Sequence, residues 1–432
     1  MSNYIGPEKI IEKKKKFLIP CSQHFYKNPP QIVKGEMQYL FDSEGKKYLD
    51  FFAGVSVINC GHCNPEILNA TIEQMKTLQH TSIIYLTQPI VSLAEKLSYI
   101  LPGDINHSFF CCTGSEANEG ALLLARLYTG RNEFISLSGS LHGRTYLTMS
   151  ATEIPMWRAD PMLSDCFTFV PNAYNKDKTL EVSALDSLQA IEEIIMAKGP
   201  DKIAALIAEP IQGNGGIITP PHWYFKKLKT LLEKHGILLI IDEVQTGFAR
   251  TGKMFAIDHY DVVPDIITVA KALGNGIPIS AFCTNDIIAA AFTKPSASTL
   301  GGNPVAASTA IAVLDYIENN QLCLNAENLG IKLKMGLLNL QKKYPIIYDV
   351  RGLGLMVGAE LIKEDGEAAS EEADFILEIL KEEGIILGKN GLHRNVLAFQ
   401  PPLVITENDV ELLLDKLNLA LSKLYNSICN LS

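Results

Sequence analysis

Two stretches decide how this chain is read: Ile237-Leu238-Leu239-Ile240-Ile241-Asp242-Glu243-Val244-Gln245 and, further on, Ile266-Ile267-Thr268-Val269-Ala270-Lys271. Each is a short, nearly unbroken apolar run that ends in a charge. Runs without polar alternation are what strands buried on both faces require, and such strands belong to parallel sheets. Open α/β sheets bind ligands beyond the carboxyl ends of their strands, which is where Asp242 and Lys271 fall. Charges that merely cap a sheet edge would occupy the same positions, so chemistry has to be argued from what surrounds them.

Working outward, further apolar runs fall at 108–112, 134–137, 203–208 and 279–283, separated by helical patterns. Asn64-Pro65 opens a helix through Met75 and Pro89 opens another through Ile100, since proline is tolerated in a first helical turn. This alternation predicts an α/β fold with a mostly parallel central sheet covered by helices on both faces. Upstream, the first sixty residues look irregular apart from a hairpin, with strands 37–41 and 48–51 about the turn 42–45. Downstream the pattern changes to helix 327–343, strands near 347–361, helix 369–384, strands near 385–400 and a last helix, 407–425. The expected organisation is residues 1–63 as an N-terminal segment contributing to a small domain, 64–318 as the large domain, and 319–432 as a smaller α+β domain.

Composition narrows the partners. With 432 residues, 47% hydrophobic and 20% charged, the chain can bury a large core. A net charge of −10 argues against nucleic acid or an anionic membrane as a partner. Lys13-Lys14-Lys15-Lys16 follows Glu8 and Glu12 and reads as a solvated helix face. No signal peptide is expected at Met1–Gly6, and no apolar run reaches membrane-spanning length. Nine cysteines, an odd number set in apolar segments, predict reduced thiols and a cytoplasmic protein.

An acid and a lysine at neighbouring strand ends suit pyridoxal phosphate (PLP). A lysine amine condenses with the cofactor's aldehyde, and a buried carboxylate keeps the ring nitrogen protonated so that the ring accepts electrons. The run 108–112 leads into Thr113-Gly114-Ser115-Glu116-Ala117-Asn118 and a helix, an arrangement that exposes backbone N–H groups to an anion such as a phosphate. Plain N-capping explains the same residues. Glu209, in Glu209-Pro210-Ile211-Gln212-Gly213-Asn214-Gly215-Gly216, is a third acid at a strand end, and Leu141-His142-Gly143-Arg144-Thr145 adds a cation able to grip a carboxylate. Two other motifs are discounted. Gly247–Lys253 has P-loop spacing, but Met254 replaces the Ser or Thr that magnesium needs. Cys60-Gly61-His62-Cys63 lacks both a thioredoxin-sized unit around it and a second ligand pair for zinc, so no metal site is expected.

Over nearly its whole length the chain resembles the class III (omega) aminotransferases of the PLP-dependent fold-type I group. The resemblance rests on Asp50–Val55, Thr113–Asn118, His142–Thr145, Glu209–Gly213, Asp242–Gly252, Lys271, Thr299 with Gly302-Asn303-Pro304, and Val350–Gly354. It implies that Lys271 holds PLP and moves the substrate proton. By the same analogy Asp242 pairs with the ring nitrogen, Gln245 reaches the phenolic oxygen, Val244 packs on a ring face, and Gly114 and Ser115 hold the phosphate. His142 belongs to the same cofactor set. Thr299 is implied to reach the phosphate of the other subunit's cofactor, making a homodimer the minimal active unit. Arg144, Glu209 and Val55 are the implied substrate contacts. The implied activity moves an amino group from a primary amine or omega-amino acid to a small 2-oxo acid.

Three positions depart from the family pattern. Leu141 stands where an aromatic ring usually stacks on the cofactor, Asn214 replaces a glutamate, and Ala398 replaces the arginine that usually binds the acceptor's α-carboxylate. The last two agree with each other, because that glutamate serves to neutralise that arginine. Arg144, Arg394 and Lys389 are the cations available to compensate. The loss also opens an alternative: a PLP lyase, eliminating phosphate or ammonia from a small amine, or an epimerase, neither of which needs an acceptor.

Overall fold

The computed structural model describes residues 4–429. The N-terminal part holds a helix, Pro7–Phe17, and three antiparallel strands: β1 (Ile32–Glu36), β2 (Tyr39–Asp42) and β3 (Lys47–Asp50). The β2–β3 hairpin matches expectation. Strand β1 was not foreseen, whereas the helix contains the lysine run read as a helix face. The helix buries none of its residues, so Lys13–Lys16 do lie on a solvated face.

The central sheet has seven strands: β4 (His107–Cys111), β5 (Glu133–Leu137), β6 (Phe167–Val170), β7 (Ile203–Ala208), β8 (Leu238–Asp242), β9 (Ile266–Val269) and β10 (Ser280–Thr284), in the order β4-β10-β9-β8-β7-β5-β6. From β9 to β6 every pairing is parallel. Strand β10 is antiparallel to both neighbours, β9 and β4. The cause is chain length: residues 270–279 are too few for a parallel crossover, which needs about a dozen or more. All residues of β7 and β8 are buried, as their unbroken apolar runs predict. Strand β6 was missed because Phe167-Thr168-Phe169-Val170 is short and lies at the sheet edge with only its ends buried.

The C-terminal part contains helix Leu322–Lys343, β11 (Ile347–Leu353), β12 (Met356–Leu361), helix Ser370–Glu382, β13 (Ile385–Ile386), β14 (Gly388–Asn390), β15 (Val396–Phe399) and helix Glu407–Cys429. Strands β11, β12, β15 and β14 form one antiparallel sheet. Strand β13 instead pairs in parallel with β3, so the two ends of the chain share a sheet.

Among the described residues no helix is long and apolar enough to cross a membrane. The eight cysteines with described side chains are all free thiols, but Cys21 and Cys63 are exposed rather than buried in the core.

Candidate active site

The carboxyl ends of β5, β7, β8 and β9 and the start of helix Gly114–Thr129 border one cavity of about 410 Å³. Its lining includes Gly114, Ser115, His142, Arg144, Glu209, Asp242, Val244, Gln245 and Lys271. These are all but two of the residues singled out from sequence. Parallel strands make this convergence: residues far apart along the chain leave the same edge of one sheet.

Asp242 ends β8 and is buried. Its Oδ2 accepts hydrogen bonds from Asn118 Nδ2 at 2.7 Å and His142 Nδ1 at 2.8 Å, and its Oδ1 accepts one from the Val244 amide at 3.0 Å. Glu209 is buried too. Its two oxygens accept from the Leu141 amide and the Gly213 amide, each at 3.0 Å, which ties the loop after β5 to the loop after β7. Burial pushes the Glu209 carboxyl up to about 7, and the nearby Asp242 charge adds to the rise.

Lys271 follows β9 in the left-handed region, at φ 44°, a conformation that strains any residue with a side chain. Removal from water pulls its amine below the ordinary lysine range, with Asp242 and Glu209 acting in the opposite direction. Lysine is thereby brought nearer to the neutral form that attacks aldehydes and accepts protons.

Two glycines make the site possible. A Cβ on Gly213 would stand 2.0 Å from Gln245 Oε1, and one on Gly143 would stand 2.6 Å from Ser115 Oγ. Each lets a cavity-lining side chain lie against the backbone. Helix Gly114–Thr129 opens with a reciprocal cap between Thr113 and Glu116, so capping and an exposed helix start coexist here.

The two singled-out residues outside the lining are Val55 and Thr299. Ala53, Gly54, Val55 and Ser56 all have positive φ, and this left-handed turn places Val57, not Val55, on the cavity. Thr299 is exposed and does not line the cavity. Reasoning from sequence also missed Trp157, which lines the cavity from a short turn with no motif around it, and Asn118, whose buried amide reaches Asp242.

The departures from the family pattern are also placed. Leu141 lines the cavity. The Asn214 carbonyl accepts from the Gly391 amide at 2.9 Å. Ala398 is fully buried against Ile211, Ile217 and Met356 and does not line the cavity. Of the compensating cations only Arg144 does. Lys389 pairs with Asp374, and Arg394 lies over the Phe25 ring at 4.8 Å.

These residues fit pyridoxal phosphate. Lys271 offers an amine for its aldehyde, Asp242 a carboxylate for its ring nitrogen, and the start of the helix at Gly114 backbone N–H groups for its phosphate. Gln245 contributes a buried Nε2 that no described residue satisfies. Bound there, the cofactor supplies an electron sink for cleavage of a bond to the amine-bearing carbon.

Glu243, next to Asp242 but facing the core, provides a check on the packing. Burial pushes its carboxyl up to about 7 from 4.5, against bonds from Thr246 Oγ1 and the Ile257 amide. A carboxyl with a raised folded pKa binds its proton more tightly folded than unfolded. Its contribution is therefore complete below about 4.5 and is lost as pH rises to about 7. Glu243→Gln keeps a donor and an acceptor in place. Its melting temperature is expected to vary less between pH 5 and 7.5 than that of the unmodified protein; equal pH slopes refute the assignment.

Comparison with known proteins agrees with this geometry. The family model "Aminotransferase class-III" matches residues 22–421. The chain is 40% identical over 429 residues to alanine–glyoxylate aminotransferase 2 homolog 2, mitochondrial, of Arabidopsis thaliana, covering 98% of this chain and 89% of that one. It is 39% identical over 428 residues to the leucine/methionine racemase of Thermococcus litoralis, covering 96% and 95%. Among solved structures, a transaminase from the marine bacterium Virgibacillus superposes with a TM-score of 0.91 at 32% identity, covering 97% of this chain and all of that one. The family and its transaminase structures favour amino transfer over the lyase or epimerase alternative. The chain belongs to the class III aminotransferases: a fold-type I, PLP-dependent enzyme that transfers an amino group from an amine donor to an oxo-acid acceptor.

Proposed function

We propose that the acceptor is a small 2-oxo acid with a single carboxylate, gripped by Arg144, and that the donor is a primary amine or omega-amino acid with a compact apolar body. The observation that carries this reading is the cavity lining: Arg144 is its one guanidinium, and Lys271 its only other lysine or arginine cation. A dicarboxylic acceptor such as 2-oxoglutarate would need a second cation, and Ala398 supplies none. Val57, Leu141, Trp157, Ile277, Pro278 and Ile279 form the apolar remainder.

In this reading Lys271 Nζ takes up and returns the proton at the amine-bearing carbon. Asp242 holds the ring nitrogen, Gln245 the phenolic oxygen, and Gly114 and Ser115 the phosphate, while Val244 packs on the ring and His142 steadies Asp242. Glu209 keeps the loop bearing Leu141 and Arg144 against the cavity. The enzyme works as a homodimer in which Thr299 serves the other subunit's cofactor. Exposed Thr299 supports this, as does the run Ile83, Ile84, Tyr85 and Leu86, with Ile84 at 77% and Leu86 at 103% exposure. Such apolar surface is normally covered by a partner. Residues 1–63 and 319–432 together make the small domain around the 64–318 core, a division supported by the β3–β13 pairing. The free thiols support a cytosolic setting.

The test gives the purified holoenzyme sec-butylamine or β-alanine alone and follows the visible absorbance. One equivalent of cofactor should bleach and stay bleached until an oxo acid is added, with glyoxylate or pyruvate restoring the band at least about tenfold more efficiently than 2-oxoglutarate. Carbonyl product formed catalytically without acceptor, or inversion of the amine alone, sinks the transfer reading. Preference for 2-oxoglutarate sinks the single-carboxylate reading.

A further inference from the structure

We infer that Asn118 is a positioning residue for the reaction, acting through Asp242 to decide which carboxylate oxygen faces the cofactor. Asn118 sits one turn inside helix Gly114–Thr129 and is 1% exposed. Its Nδ2 donates to Asp242 Oδ2 and to the His142 carbonyl, both at 2.7 Å. Its Oδ1 accepts from Thr268 Oγ1 at 2.6 Å. Each donor of the side-chain amide is thus used.

The orientation of that amide is forced. A carboxylate and a backbone carbonyl can only accept, so both require the NH₂ end of Asn118, and the hydroxyl of Thr268 is left to donate to the other end. His142 Nδ1 then completes the load on Asp242 Oδ2, which means that Nδ1 carries a proton. The outcome is an asymmetric carboxylate. Oδ2 is occupied twice over by buried partners, whereas Oδ1 accepts only the Val244 amide and keeps a lone pair for a donor in the cavity. A symmetric, loosely held carboxylate would rotate about its last bond and offer the ring nitrogen a range of distances. The chain Thr268–Asn118–Asp242 removes that freedom and couples β8, β9 and the phosphate-facing helix in one buried network.

The inference rests on the reading that Asp242 holds the cofactor's ring nitrogen, and the experiment separates the two. PLP affinity is measured on apo-protein by fluorescence quenching, together with the pH dependence of the bound cofactor's visible absorbance. The proteins compared are the unmodified chain, Asp242→Ala, Asn118→Leu and Thr268→Val. Asp242→Ala should weaken PLP and shift the spectral titration; if it does neither, the underlying reading fails. Given that loss, Asn118→Leu should weaken PLP by roughly 10- to 100-fold and shift the titration in the same sense. Thr268→Val, nearly isosteric and able to fold even if Asn118→Leu does not, should produce a smaller loss in the same direction. Unmodified affinity and titration in either variant, beside an impaired Asp242→Ala, overturn the role of Asn118.

Discussion

Lys271→Ala is expected to remove the visible band of the bound cofactor and to lower the transamination rate by at least about four orders of magnitude, the upper range for loss of a positioned acid–base group. The expectation follows from placement. Among the residues lining the cavity Lys271 is the only amine, and its half-buried side chain leaves a strained left-handed backbone at the end of β9. The same burial that lowers its proton affinity makes it chemically useful. On the pH axis the sign is fixed by that direction. A lysine with a lowered pKa becomes neutral at lower pH, so cofactor attachment to the apo-protein should reach its plateau below the ordinary lysine value of about 10.4. Stopped-flow absorbance across pH checks both points. A band retained in Lys271→Ala, or a plateau reached only near the ordinary lysine value, contradicts them.

Arg144→Leu should lower kcat/KM for the oxo-acid acceptor by roughly 10- to 100-fold, mostly through KM. A charge-assisted hydrogen bond to a carboxylate contributes about 1.5–3 kcal/mol, and each 1.4 kcal/mol is about a factor of ten. Because Ala398 is sealed behind Ile211, Ile217 and Met356, and Lys389 and Arg394 are engaged elsewhere, no second cation should rescue the contact. Half-reactions with an amine donor that carries no carboxylate should proceed at nearly the unmodified rate. Steady-state kinetics with pyruvate and single-turnover bleaching with such a donor distinguish the two effects. An unchanged acceptor KM would move the carboxylate contact away from Arg144.

Much of the site was legible before any coordinates. Asp242, Glu209 and Lys271 stand at the ends of runs whose residues are buried on both sides, and an apolar run can be recognised without knowing its neighbours. Other parts carried no local signal. Strand β6 is a short edge strand, and strand β1 gains its identity only by pairing with β2. Trp157 belongs to a short turn that reaches the cavity only because the sheet brings it there. Val55 was placed on the cavity by motif position, but four consecutive positive φ angles turn the chain so that Val57 faces it.

What the sequence alone determined was the sheet-forming runs, the charges at their ends and the family those motifs resemble, because periodicity and residue type are local properties. Only the tertiary structure decided which distant residues share a hydrogen bond. It alone showed that Asn118 and His142 load one oxygen of Asp242, that Glu209 clamps two loops, and that Ala398 is core while Arg144 is not. Those facts depend on contacts between residues far apart in the chain, and no local pattern in the sequence encodes them.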